Sequence, residues 1–257
     1  GPTASGKSNF AVKVAKKING EIINADSMQV YKELDILTAR PQKKNCSLIP
    51  HHLYGFHSVK KKFSTGKWLK LAKQKIKDIK NKKKIPIFVG GTGLYFKALT
   101  EGLVKIPNIP IKFRSNVRTL QKKIGQKKFY QKLVNLDPSS KRTINSSDIQ
   151  RSIRAYEVKA YTKKSLNEWF KETKSEYKKK DFYKIYFDIP RIELIKNINE
   201  RTKKMLNKGA ILEVKKFLRL SVGNDHSARK AIGVSEIGDF LEEKYDLNET
   251  FQKISIK

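Results

Sequence analysis

The first stretch with a readable apolar period is Asn9 to Ile18, where Phe10, Val12, Val14, Ala15 and Ile18 recur as one helix face until Asn19-Gly20 stops them. EIINADS follows, a short strand that opens at Glu21 and runs out at the polar pair Asp26-Ser27. A second helical period covers about Ser64 to Lys83, and IPIFV, Ile85 to Val89, has the continuous apolar run of a buried strand. That strand ends in the turn Gly90-Gly91-Thr92, after which another helix begins. Helix, strand, helix, strand and helix in alternation predict an α/β fold, a parallel sheet covered by helices. In such sheets ligands sit outside the carboxyl ends of the strands, so Gly1 to Ser8, Asp26 and Thr92 are expected in one crevice.

From about Lys112 the pattern changes. No strand period is visible as far as Glu176, the stretch is heavily basic, and it reads as several helices with start signals at Asp137-Pro138 and Ser146-Ser147-Asp148. Strand character returns in FYKIYFDI, Phe182 to Ile189, and an amphipathic helix then runs from about Ile192 to Asn207. Gly209 interrupts it before a last helical run, Ile211 to Leu220. The predicted organisation is an α/β core in two parts, 1–111 and 181–257, with an all-helical insertion over 112–180.

Composition changes this picture in three ways. A chain of 257 residues with 38% hydrophobic content can bury a core, and no apolar run approaches the roughly 18 residues of a membrane span, so no membrane partner is expected. The one cysteine, Cys46, excludes an internal disulfide and points to a reducing compartment. The expected location is cytoplasmic, in a bacterium first and an organelle second. Finally, 57 Lys plus Arg against 24 Asp plus Glu leave a net charge of +33, which favours a polyanionic partner such as nucleic acid. Only 10 of those cations are Arg, and a chain rich in Lys, Ile and Asn also follows from AT-rich coding, so charge alone does not assign the partner.

The chemistry begins at the first residue. GPTASGKS fits G-x-x-x-x-G-K-S, the loop whose backbone amides cradle phosphates. Gly1 and Gly6 permit the tight turn, Pro2, Thr3, Ala4 and Ser5 span it, Lys7 adds a point charge, and Ser8 can ligate Mg²⁺ at the start of a helix. Because this motif ordinarily follows a strand, a strand is expected ahead of Gly1. A nucleoside triphosphate or any diphosphate leaving group would fit the cradle. Phosphoryl-transfer enzymes of this kind usually place a carboxylate on the metal. Here the strand Ile85 to Val89 ends without an acid, and the acid stands after the previous strand, at Asp26.

Taken together, GPTASGKS, DSMQVYKELDILTARP, HHLYGF and VGGTGLYFKALTEGL, in this order and spacing, resemble the tRNA dimethylallyltransferase family from residue 1 to about 240. The resemblance implies a P-loop NTPase-like core with a helical insertion, and an activity: transfer of a dimethylallyl group from dimethylallyl diphosphate to N6 of the adenosine beside the anticodon, with Mg²⁺ as cofactor. The loop would then hold the diphosphate of a prenyl donor. By the same resemblance Asp26 is the general base, Thr92 stabilises the departing diphosphate, and Arg191 and Arg201 help to neutralise it, with Asn197 at a third position that is commonly Arg. The implied tRNA contacts are Asp26, Ser27, Met28 and Gln29, then Arg114, then Gln150, Arg151, Ser152, Ile153 and Arg154, and Lys230 in KAIGVS, where relatives carry Tyr in place of Val234. The partners are the anticodon stem-loop of tRNA and dimethylallyl diphosphate, acting on a monomer. A basic, aromatic segment is expected beyond Lys257.

Other readings remain open. A relative acting on free adenine nucleotides keeps the loop and the base but leaves the insertion and the charge unexplained. A P-loop nucleotide or metabolite kinase lacks its metal-binding acid, and a purely RNA-binding module would not need the phosphate loop. His51, His52 and His57 have no cysteine partner nearby and read as structural residues rather than a zinc site. Tyr31, Tyr95 and Phe96 read as core aromatics.

Overall fold

A computed structural model describes residues 1–41 and 49–257; Cys46 lies outside them. The backbone divides into two compact units, one formed by Gly1–Ala98 with Lys180–Lys257 and the other by Leu99–Lys179.

The first unit carries a three-stranded parallel sheet in the order β2-β1-β3, with β1 at Gly20–Asn24, β2 at His51–His52 and β3 at Ile85–Val89. β1, the middle strand, is buried along its whole length. Helix α1, Lys7–Lys17, packs Ala11 and Ala15 against Ile22, Ile49 and Val89, where the small alanines let the helix lie close to the sheet. Helix α2, Thr65–Asn81, begins at Ser64, whose hydroxyl accepts the Lys67 N–H as an N-cap. Its buried Trp68 donates its indole N–H to the Asn24 carbonyl at 2.8 Å and stacks on Tyr95 with ring centroids 4.2 Å apart. Tyr31 and Tyr95 are thus core aromatics, and burial drives the Tyr95 hydroxyl's pKa far up.

A second apolar core lies away from the sheet. There Val30, Tyr31, Leu34 and Leu37 pack against α8, Arg191–Asn207, α9, Ala210–Leu218, α10, Val234–Leu241, and α11, Leu247–Ile256, through Met205, Val214, Phe217, Val234, Ile237 and Ile254. Gly209, at φ 99°, turns the chain between α8 and α9, the break that the sequence pattern marked.

One expected strand is absent. Phe182 to Ile189 joins no sheet, and Tyr183 and Tyr186 are 94% and 75% exposed. Alternating aromatic and β-branched residues favour an extended backbone, but a strand also requires an edge to pair with, which periodicity cannot supply. Phe187 instead meets Phe10 edge-on, with centroids 5.1 Å apart.

The second unit is helical. It contains the end of α3, Gly93–Thr100, and then α4, Ile111–Leu136, which is kinked at Gly125. There follow α5, Ser140–Thr143, α6, Ile149–Thr162, and α7, Leu166–Lys171. Asp148 caps α6 through the Arg151 N–H, as its position predicts, whereas Asp137 ends α4 and accepts the hydroxyls of Ser139 and Ser140 without capping α5, whose N-cap residue is Ser139. Val117, Phe129 and Ile153 lock α4 to α6. Among the described residues, no helix is long and apolar enough to cross a membrane.

The histidines each have their own partner. His51 Nδ1 lies 2.6 Å from the Ile49 carbonyl, His52 Nε2 2.7 Å from Glu21, and His57 Nε2 3.0 Å from the Lys61 carbonyl. Glu21 is only 1% exposed. Burial would raise its carboxyl, but hydrogen bonds from His52 and Lys84 and the nearby charge of Lys82 and Lys84 outweigh it, and the pKa falls below its usual 4.5. A depressed carboxyl stabilises the fold above its unfolded pKa and loses that contribution as pH falls through the folded value. Glu21→Gln is therefore expected to lower the urea midpoint at pH 7, with the gap to the parent protein narrowing below about pH 4.5.

Gly90 imposes a second constraint. A Cβ there would fall 2.1 Å from the carbonyl carbon and oxygen of Ala25. Because the obstacle is backbone, Gly90→Ala is expected to cost about 3 kcal/mol, measurable by chemical denaturation; parent-like stability would show that the strands can separate there.

Candidate active site

Gly6 has the left-handed φ of 80° and caps α1 without any side-chain hydrogen bond, so the first-turn amides are left to face the cleft beside them. Ala4 is also left-handed, at φ 61°, which turns successive loop amides to one side. Inside the loop, Ser5 is buried and its hydroxyl has no hydrogen-bond partner among the described residues. Such a group costs free energy unless something polar meets it, and a phosphate oxygen is the complement. Lys7 Nζ donates to the Pro2 carbonyl at 2.7 Å, which holds the ammonium over the loop. Burial and then Arg201 lower its pKa, while the Asp26 charge opposes them.

A cavity of about 270 Å³ adjoins the loop. Thr3, Ala4, Ser5, Gly6, Lys7 and Ser8 line one side, and Asp26, Met28, Gln29, Gly90 and Arg201 face them. The β-to-loop junctions explain how Asp26 arrives there. Asn24 receives the Asp26 N–H at 2.8 Å and donates its amide to the carbonyls of Asp26 and Leu53, and Asp26 Oδ1 in turn accepts the Met28 N–H at 2.8 Å. The carboxylate is thus oriented by an Asx turn that leaves Oδ2 on the side of Gly91, 3.9 Å from where a Cβ on that residue would stand.

Thr92 ties the two strand ends together. Its hydroxyl accepts the Ser27 N–H at 2.8 Å and donates to Ser27 Oγ at 3.2 Å, and its own N–H donates to Ala25. It sits half-buried behind the cleft wall rather than on the cavity lining.

The arginines divide. Arg201 lines the cavity and donates to the Leu37 carbonyl at 3.3 Å, and burial, only partly countered by Asp26, pulls its pKa down. Arg191, at the exposed first position of α8, is not part of the lining. Asn197, where an Arg would be common, donates to the Ala4 carbonyl at 3.4 Å and so touches the loop itself. Lys230 is exposed at the end of a single 3₁₀ turn, Ser227–Lys230, while Val234 is buried in the second core.

In the helical unit, Gln150 and Arg151 are exposed on α6, but Ser152 and Ile153 are not. Ser152 donates to the Asp148 carbonyl and Ile153 packs with Phe129, so both side chains serve the interior of that unit. In a helix, consecutive residues cannot share a face, and QRSIR includes both sides. Arg114 and Arg154 both reach Glu157, at 3.3 and 3.4 Å.

The sequence pattern gave no sign of Glu213. Its carboxylate accepts three backbone N–H groups, those of Asp35 and Ile36 at 2.9 Å and of Leu37 at 3.0 Å. It thereby fixes the lip formed by Leu37, Thr38 and Ala39, whose last two carbonyls hold the Gln29 amide. A glutamate on an amphipathic helix almost always faces solvent, so only the tertiary contact marks it out.

The fold is a phosphate-loop α/β core, and its cleft sets Lys7 and Arg201 in the same cavity as one carboxylate, that of Asp26. Comparison with known proteins narrows this. The family model described as IPP transferase matches residues 29–257, and that described as isopentenyl transferase matches 1–52. The chain belongs to the IPP transferase family and is a prenyl-transferring enzyme. It is 59% identical over 257 residues to the tRNA dimethylallyltransferase of Pelagibacter ubique, covering 100% of this chain and 82% of that protein. The crystal structure of the tRNA isopentenylpyrophosphate transferase of Bacillus halodurans superposes with a TM-score of 0.68 at 31% identity, over 99% of this chain and 80% of that one. A eukaryotic dimethylallyltransferase acting on tRNA superposes with a TM-score of 0.84 at 27% identity, over 100% of this chain and 65% of that one.

Replacing Glu213 by Gln keeps the shape but turns an amide N–H₂ toward backbone donors. Affinity for inorganic pyrophosphate, read by calorimetry, is expected to fall about tenfold, the effect of one lost charge-assisted hydrogen bond (~1.5 kcal/mol). Unchanged affinity would mean that the lip does not shape the cradle.

Proposed function

We propose that the cleft binds the diphosphate of dimethylallyl diphosphate and that the chain transfers the dimethylallyl group to N6 of the adenosine 3′-adjacent to the anticodon in tRNA, yielding N6-isopentenyladenosine and diphosphate. The observation that carries this reading is the buried, unpartnered Ser5 hydroxyl in an uncapped glycine loop, with the Asp26 carboxylate across the same cavity. A phosphate binder with a single opposing base suits alkyl transfer to an amine better than phosphoryl transfer.

In this reading the amides of Gly1 to Ser8, with Lys7 and Arg201, bind the diphosphate, and Arg191 contributes from the cleft's surroundings. The N6 lone pair attacks the allylic carbon, the carbon–oxygen bond breaks with its electrons going to the diphosphate, and the N6 proton passes to Asp26. Thr92 stabilises the leaving oxygen by turning its hydroxyl proton away from Ser27. The donor set also suits a hard cation, since Ser8 offers a hydroxyl oxygen at the cavity and Asp26 a carboxylate opposite it. Mg²⁺ would be held by Ser8 together with the diphosphate and would supply charge neutralisation to the leaving group.

The adenosine must leave its stack to reach Asp26, so base flipping is part of the proposal, with Asp26 to Gln29 contacting the flipped nucleotide. Arg114, Gln150, Arg151, Arg154 and Lys230 hold the anticodon stem-loop largely by shape and backbone, and Ser152 and Ile153 act by keeping α6 in place. The protein works as a monomer in the cytoplasm in this proposal.

The test is incubation with radiolabelled dimethylallyl diphosphate, Mg²⁺ and either unmodified tRNA or AMP. Label is expected in tRNA, lost in Asp26→Ala by at least about a thousandfold while tRNA affinity stays near the parent value. Label in AMP alone would overturn the assigned acceptor, and full transfer by Asp26→Ala would overturn the base. Arg151→Ala combined with Arg154→Ala is expected to weaken tRNA binding and flatten its salt dependence.

A further inference from the structure

The cavity beside the phosphate loop is not polar throughout. Along with Lys7, Arg201 and Asp26, its lining includes the larger apolar side chains of Met28, Leu37, Val89 and Ile232. Three of these are already engaged: Leu37 and Val89 are 3% and 8% exposed, each within its own apolar core, and Met28 packs against the second core. Ile232 differs. It is 42% exposed, so much of its branched side chain is left uncovered at a wall shared with two cations and a carboxylate.

The backbone holds Ile232 from both sides. The Val234 N–H donates to the Ala231 carbonyl at 3.1 Å, which closes a turn over residues 231–234, and Gly233 takes the left-handed position in it at φ 99°. Ala231 and Val234, the two ends of the turn, are buried in the second core. Gly233 also donates its N–H to the Glu236 carboxylate at 2.9 Å, and it lies so close to Leu37 that a Cβ there would fall 2.6 Å from Leu37 Cδ2. Being branched at Cβ, Ile232 keeps few rotamers. A side chain fixed in this way acts as a wall and not as a lid.

We propose that Ile232 is a specificity-determining residue of the donor site: it forms the apolar wall against which the hydrocarbon tail of the prenyl diphosphate rests, and it limits that tail to five carbons. The proposal rests on the reading of the cleft as the dimethylallyl diphosphate site and deepens it. A dimethylallyl group has no hydrogen-bonding atom, so only apolar contact favours it. With the diphosphate on the loop, that contact must come from the same lining, and Ile232 is the member of the four whose surface is still free to give it. Adenine carries ring nitrogens and an amino group around its edge, for which an aliphatic wall offers no partner, whereas hydrocarbon needs none. The wall also limits size, because added methylenes that find no space strain the site around them.

The experiment compares dimethylallyl diphosphate with geranyl diphosphate, its ten-carbon homologue, as donors at saturating tRNA. Both react alike: N6 attacks the allylic carbon, the carbon–oxygen bond breaks and diphosphate leaves. The parent protein is expected to prefer the shorter donor. Ile232→Ala is expected to raise the ratio of kcat/KM for geranyl over dimethylallyl diphosphate by at least about tenfold, with Ile232→Val in between. Ile232→Phe overfills the site and is expected to raise KM for dimethylallyl diphosphate. In all three variants KM for tRNA and inhibition by inorganic pyrophosphate stay at the parent values, because neither involves the tail. A merely structural role would lower the melting temperature and affect both donors equally. An unchanged donor ratio in Ile232→Ala overturns the proposal, as does equal use of both donors by the parent protein. A raised KM for tRNA with the donor ratio unmoved would place Ile232 against the nucleotide and overturn it too. If the parent protein transfers neither donor to tRNA, the reading of the cleft falls, and the wall with it.

Discussion

The cleft depends on how closely β1 and β3 approach at their carboxyl ends. Gly90 lies against the backbone of Ala25, and from that contact the rest follows: Ala25 donates to Val89, Thr92 donates back to Ala25, and the Thr92 hydroxyl receives Ser27. The chain can therefore leave β1 in a turn tight enough to aim Asp26 across the cavity at the phosphate loop. A side chain at position 90 would part the strands and remove the geometry that makes one carboxylate and one loop a single site.

Charge within the cleft is organised in the same way, by scarcity of acid. The cavity lining brings Lys7 and Arg201 together with one carboxylate, Asp26, and both cations feel it. Burial lowers the pKa of each cation, so a doubly charged anion entering the cleft would restore what desolvation disfavours. The helical unit uses the opposite arrangement, with one hidden carboxylate gathering three cations at its surface. In the cleft, hydrogen bonds to the Pro2 and Leu37 carbonyls already hold Lys7 and Arg201 in place, which lowers the entropy that binding an anion there would freeze.

The second apolar core, separate from the cluster packed on the sheet, gives the site its outer wall. Leu37 packs there, Glu213 on α9 pins the amides of residues 35–37, and Arg201 on α8 reaches the Leu37 carbonyl. Helices late in the chain thus set the position of a lip formed early in it. This is why the amphipathic run after residue 190 matters to a site whose motif lies in the first eight residues.

Much of this was legible in the linear pattern because it is set by local physics. The phosphate loop depends on glycines and a following helix, β1 and β3 on short apolar runs, and the caps at Ser64 and Asp148 on side chains that reach their own backbone. What the tertiary structure alone decided is whatever requires a distant partner. Phe182 to Ile189 has strand character but no ladder, because an extended segment becomes a strand only where an edge accepts its hydrogen bonds. QRSIR reads as one segment but divides between surface and interior, because a helix turns consecutive residues to different sides. Glu213 and Glu157 look like ordinary surface acids in sequence, and they become structural centres only because folding brings backbone amides to the one and arginines to the other. Sequence determines what a residue can bond with; only the fold determines which partner comes within reach, because that distance is set by packing between segments far apart in the chain.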